Sequence, residues 1–87
     1  MPVFYLGYND LDFTSADGKT IDGIKVYWYF ESDSQNYFGY EIGSYFIPRG
    51  KSEIIKQIKN LVPGEQCELD LRYNGKKPVF VSLTPIK

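Results

Sequence analysis

Turn-forming residues cut this chain at short, even intervals, and nearly everything between the cuts is strand-like. The breaks fall at Ala16-Asp17-Gly18-Lys19, Ser32-Asp33-Ser34-Gln35-Asn36, Pro48-Arg49-Gly50, Pro63-Gly64 and Asn74-Gly75. Gly reaches left-handed backbone at little cost and Pro removes a ladder donor, so no long regular element runs through such points. The stretches between them are rich in Val, Ile, Tyr and Phe and read as strands. They predict strands over residues 3–14 (interrupted near Gly7), 24–31, 38–47, 66–73 and 79–83, with Gly39 and Gly43 marking bulges or bends.

One segment departs from this rhythm. Over residues 52–62 the apolar side chains are Ile54, Ile55, Ile58, Leu61 and Val62, which share one helical face, while Lys56, Gln57, Lys59 and Asn60 share the other. Ser52 suits the N-cap, Glu53 the first turn, and Pro63-Gly64 the stop. The expected order is β-β-β-α-β-β, a mainly β chain. Asn74-Gly75 is expected to close a tight hairpin between strands four and five. Five strands with one helix between the third and fourth is the connectivity of the OB-fold, a five-stranded Greek-key barrel. An SH3-like barrel also has five strands, though usually with only a short helical turn before its last, and an open α+β sheet fits the same order. The 87 residues suffice for one domain, expected to span 1–87.

Composition narrows the chemistry. The chain has no histidine, which removes Ser-His-Asp and Cys-His catalysis and His-ligated metal sites. Its one cysteine, Cys67, can form neither an internal disulfide nor a zinc site alone, and reads as a small buried apolar residue. Asp10 and Asp12 are paired carboxylates that nothing else completes, and Asp17-Gly18-Lys19-Thr20 matches only the tail of a phosphate loop. No enzyme, cofactor or metal is expected. No apolar run approaches the ~20 residues needed to span a membrane, and the start lacks the basic region of a signal peptide. A soluble, cytoplasmic protein is the expectation.

Charge is uneven. Residues 1–48 carry two lysines against seven carboxylates, hence −5, and residues 49–87 carry eight cations against four carboxylates, hence +4. Local charge, and not the chain total of −1, is what attracts a polyanion.

Aromatics make up 17% of the chain, with eight Tyr and six Phe, enough to furnish a recognition surface as well as a core. Strand two is the most informative. Its alternation places Ile24, Val26, Trp28 and Phe30 inward, and Lys25, Tyr27, Tyr29 and Glu31 outward. Outward tyrosines beside a lysine suit single-stranded nucleic acid, whose bases stack on rings while cations neutralise phosphates. In OB-folds the oligonucleotide crosses strands two and three, flanked by the loops between strands one and two and strands four and five. Here those loops carry Lys19, and Lys76 with Lys77. In strand three Tyr45 is expected outward. Tyr37 and Phe38 sit in the loop before it as further stacking candidates. Strand four is expected to turn Cys67, Leu69, Leu71 and Tyr73 inward and Arg72 outward, toward phosphate. Strand five is expected to turn Val79, Val81 and Leu83 inward, leaving Phe80 and Ser82 outside.

On these features the chain resembles the small single-stranded-DNA-binding proteins of filamentous phages and related mobile elements. The likeness lies in length, the five-strand layout, the outward tyrosines and a short last strand ending Ser82-Leu83-Thr84-Pro85-Ile86-Lys87. It implies coating of replication intermediates without strong sequence preference, action as a homodimer, and stacking roles matched here by Tyr27 and Tyr29. The competing expectation is a phage or plasmid protein-interaction module, such as an inhibitor of a host enzyme, that uses its acidic first half.

Overall fold

The computed structural model describes residues 2–86; Met1 and Lys87 lie outside the described residues. The elements follow the expected order: β1 (Pro2–Thr14), β2 (Thr20–Glu31), β3 (Tyr40–Pro48), α1 (Ser52–Lys59), β4 (Gln66–Asn74) and β5 (Lys77–Pro85). All strand pairs are antiparallel and form one sheet in the order β3-β2-β1-β4-β5. The expected barrel is not closed, because β3 and β5 end the sheet without pairing.

The β2 alternation holds as read. Ile24, Val26 and Trp28 are buried and Phe30 packs against the core. β2 starts earlier than expected, at Thr20, because β1 pairs with it as far as Thr14↔Thr20. The two strands outrun their neighbours and project as a ribbon. β1 changes phase at a bulge at Leu6: Val3 and Tyr5 face inward before it, and Gly7 (φ +153°) follows it opposite Tyr27. This bulge is clasped by the turn after α1, where Gly64 N–H donates to the Tyr5 carbonyl (2.7 Å) and Tyr5 N–H to the Glu65 carbonyl (3.0 Å). β1 then meets β4 only over Pro2–Phe4.

β3 carries neither expected bulge, since its register with β2 is unbroken from Gly23↔Pro48 to Glu31↔Tyr40. Gly39 falls in the preceding loop, and Gly43 serves another purpose. A Cβ there would lie 2.4 Å from Trp28 Nε1, so its bare backbone is what lets the indole lie flat across β3.

The β4–β5 hairpin corrects three assignments. A register shift between Asp70 and Leu71 leaves Val81 unpaired, so Phe80 faces Leu71 on the inner side and is buried (6% exposed). Val79 therefore faces outward instead of inward. Tyr73 keeps the inner face but lies beyond the end of the core, 71% exposed. The turn is Gly75-Lys76, one residue later than expected: Asn74 pairs with Lys77 and Gly75 alone takes positive φ (+67°), as a type II′ turn needs.

α1 ends at Lys59, short of the expected Val62. Lys51, not Ser52, is its N-cap, and no side chain caps it. Ile55, Ile58 and Leu61 still reach the core, and Val62 turns outward. That core joins the inner faces of β1–β3 to Cys67, Leu69, Phe80 and Leu83 from β4 and β5. Among the described residues no helix is long and apolar enough to cross a membrane.

Candidate nucleic-acid interface

The outward face of β1–β3 is built by alternation. With the inner residues committed to the core, β1 turns Phe4 outward, β2 turns out Lys25, Tyr27 and Tyr29, and β3 turns out Tyr40, Ile42, Ser44 and Phe46. Register then decides which side chains meet. Phe4 stands opposite Tyr29, and their rings stack at 5.1 Å. Tyr40 meets Tyr29 edge-on at 5.4 Å. Tyr27 stands opposite Ser44, and the Lys25 ammonium lies 5.7 Å from its ring centre, a cation–π contact worth about 0.5–1 kcal/mol at an exposed site.

These contacts divide the labour among the rings. Tyr27 and Tyr29 are only half exposed. Phe4 covers one side of Tyr29, and Lys25 lies over Tyr27. Tyr40 is 58% exposed and Ile42 beside it 70%. Phe38, near the end of the loop 32–39, is 92% exposed. That loop is held by Ser32 N–H to the Gly39 carbonyl (2.9 Å) and by Tyr37 Oη donating to the Tyr40 carbonyl (2.8 Å). The tyrosine thus folds back as a strut and leaves the phenylalanine in water.

Tyr45 is not on this face. It points inward, half-buried, stacked on Phe80 at 5.6 Å, with its hydroxyl 3.4 Å from the Pro78 carbonyl. This corrects the expectation that Tyr45 faces outward, and pairing with β2 gives the reason: Tyr45 stands opposite inward Val26. The Tyr45–Phe80 stack bridges the gap between β3 and β5, beside a cleft of about 270 Å³ that Ile47, Ile54 and Val79 also line.

The cations singled out in the sequence are scattered. Lys25 is on the aromatic face. Arg72, Lys76 and Lys77 gather with Tyr73 on the β4–β5 hairpin, all exposed, and the hairpin sits beside β3 because Pro78 meets Tyr45. Lys19 is not brought to the tyrosines: it precedes Tyr27 by eight residues of extended chain, roughly 26 Å at 3.3 Å per residue. Arg49 is bound to carboxylates. Its Nη2 donates to Asp10 (2.6 Å) and its Nε to Asp22 (3.0 Å), riveting the β1–β2 ribbon to the end of β3. These hydrogen bonds hold the Asp10 carboxyl below the usual carboxylate range and push the guanidinium up. Asp10 is thereby an ion-pair member, not half of an acid–base pair.

Cys67 is buried, and burial raises its thiol pKa, with the Glu65 charge adding to the rise. A thiol kept protonated is inert as a nucleophile. Among the described residues no three His, Cys, Asp or Glu side chains gather to hold a metal.

Reading the strands singly missed Phe4 and Ile42. The signal for Phe4 was present, as it alternates with Val3 and Tyr5, but its partnership with Tyr29 depends on register. Comparison with protein-family models, with curated proteins and with solved structures finds no match for this chain.

Proposed function

We propose that the protein binds single-stranded nucleic acid, with little sequence preference, across the outward face of β1–β3. The observation that carries this reading is the run of outward rings at the β2–β3 end, Phe4, Tyr29, Tyr40 and Phe38, with Lys25 and Tyr27 alongside. In this reading Tyr40 and Phe38 offer free ring faces to bases, Phe4 and Tyr29 form the floor beneath them, and Lys25 meets phosphate. Every base has a π-face, so such a platform tolerates any sequence. Arg72, Lys76 and Lys77 supply phosphate contacts from the β4–β5 hairpin beside β3.

We read the fold as an OB-type barrel opened along one seam. Joining β3 to β5 would close the five strands, and Tyr45 and Phe80 already reach across that gap. The resemblance to phage and mobile-element proteins adds the process, coating of replication intermediates. A second reading, contact with a basic protein surface, draws on the ribbon, where Asp12 stands directly opposite Asp22. Facing like charges destabilise a strand pair; Arg49 already pairs Asp22, so in this reading the basic partner meets Asp12.

Titration with oligo-dT and with duplex, followed by tyrosine fluorescence, separates the readings. The expected result is quenching by the single strand, with Tyr40→Ala and Phe38→Ala each weakening binding by about 10-fold, since one base stack is worth about 1–3 kcal/mol. No binding at low salt, or equal binding of duplex, refutes the proposal.

A further inference from the structure

α1 packs its isoleucines on the inner side of the sheet and leaves a cationic flank in water. At 3.6 residues per turn, Ser52, Ile55, Lys56 and Lys59 share that flank, and Glu53 and Gln57 turn away from it. The flank and Arg49 bound a groove of about 440 Å³, with Ile55 as its floor and Asn60 at its far end. Ser52, Lys56, Lys59 and Asn60 are all exposed. Arg49 is held by Asp10 and Asp22, and Lys59 lies close enough to help depress the Asp10 carboxyl. Neither Lys56 nor Lys59 makes a salt bridge among the described residues. The stretch 49–60 thus carries four cations against one carboxylate, Glu53.

We propose that this groove docks a short acidic segment of a partner protein. Charge selects the occupant, because two cations one helical turn apart complement two carboxylates. Size points to a peptide. From Ser52 to Lys59 the helix rises about 10 Å at 1.5 Å per residue, room for roughly three extended residues at 3.3 Å each. Lys56 and Lys59, at i and i+3, stand about 5–6 Å apart at Cβ, and alternate side chains of an extended chain lie about 6.6 Å apart on one face. Acidic residues at every second position therefore meet one lysine each, with the Ser52 hydroxyl and the Asn60 amide at the two ends for the peptide backbone. A nucleic-acid strand fits the groove less well. Among the described residues that line it none is aromatic, and Asp10 and Asp22 stand beside Arg49. The sheet also separates α1 from the outward rings of Tyr27, Tyr29 and Tyr40. What the aromatic face binds does not bear on this groove.

The test is fluorescence anisotropy of a fluorescein-labelled peptide of alternating Glu and Ala, titrated with the full 87-residue chain at low salt. Saturable binding is expected, and the counterpart peptide with Gln in place of Glu is expected to bind about 10-fold more weakly. Lys56→Glu with Lys59→Glu is expected to weaken the Glu peptide by about 10-fold, since two exposed ion pairs become two repulsions. Lys56→Gln with Lys59→Gln is expected to act in the same sense but less. Cations in the last turn also steady the helix, so circular dichroism and Trp28 emission are read for each variant, and the Gln variant carries the test if the Glu variant unfolds. Lys76→Glu with Lys77→Glu, on the hairpin, is expected to leave peptide binding unchanged, and oligo-dT is expected not to displace the peptide. No saturable binding, equal binding of the Gln peptide, an equal loss in the hairpin variant, or displacement by oligo-dT overturns the proposal. The peptide titration contains no oligonucleotide, so its failure and that of the nucleic-acid reading are distinguishable.

Discussion

Gly43 and Trp28 are a matched pair. The indole occupies the space where a side chain on the facing strand would otherwise stand, and a methyl group at residue 43 would overlap three of its ring atoms at 2.4–2.8 Å. Because the atoms in the way belong to a buried ring, the conflict has no cheap relief. Gly43→Ala is therefore expected to destabilise the fold by about 1–3 kcal/mol, the usual cost of overpacking. It should also shift Trp28 emission, since the ring must move toward solvent or into its neighbours. A urea midpoint equal to that of the wild type would show that the indole does not lie where described.

At the scale of elements, the two bulges decide which side chains form the core. Phe80 enters it only because Val81 is extruded, and from there it touches both Trp28 (6.2 Å) and Tyr45 (5.6 Å), tying β5 to β2 and β3. Phe80→Ala is expected to cost about 3–5 kcal/mol, and Val79→Ala, on the outer side of the same strand, well under that. Chemical denaturation of the two variants measures it, and the opposite ranking would restore simple alternation. The same element shows where sequence reading stops. β2 was legible because its alternation is unbroken from Ile24 to Phe30. In Val79-Phe80-Val81-Ser82-Leu83 every second residue is apolar, so alternation placed Leu83 correctly but put Val79 inward in place of Phe80, and no Gly or Pro inside the run marks the bulge. Gly7 did mark the bulge in β1. The helix was legible from its isoleucines but not its end, because Leu61 continues the apolar pattern after the chain has left the helix at Asn60. In the candidate site, alternation found Lys25, Tyr27 and Tyr29. The ring that stacks on Tyr29 comes from a strand whose register no local pattern fixes.

The whole molecule carries its charge in separated patches, and this bears on how it would hold a polyanion. Arg49 is bound by two carboxylates and Lys19 stands at the far end of the ribbon. Lys25 lies on the aromatic face, Arg72, Lys76 and Lys77 lie on the β4–β5 hairpin, and Lys51, Lys56 and Lys59 lie on or beside α1; the nucleic-acid proposal draws on the first four. Four phosphate contacts on a single strand give a slope of log affinity against log salt of about −3, from roughly −0.7 per contact. Titration at several salt concentrations is expected to give a slope no steeper than this, with stacking supplying the rest. A much steeper slope would mean that the strand follows cations elsewhere. The sheet order has a further consequence for a chain emerging from the ribosome. β1, β2 and β3 are made first and can pair at once, yet the strands and helix that cover Val26 and Trp28 come last, and β1 must wait some sixty residues for β4. Until then the nascent three-stranded piece holds its apolar side bare, so the interval before β5 is complete is when this polypeptide most needs shelter from its neighbours.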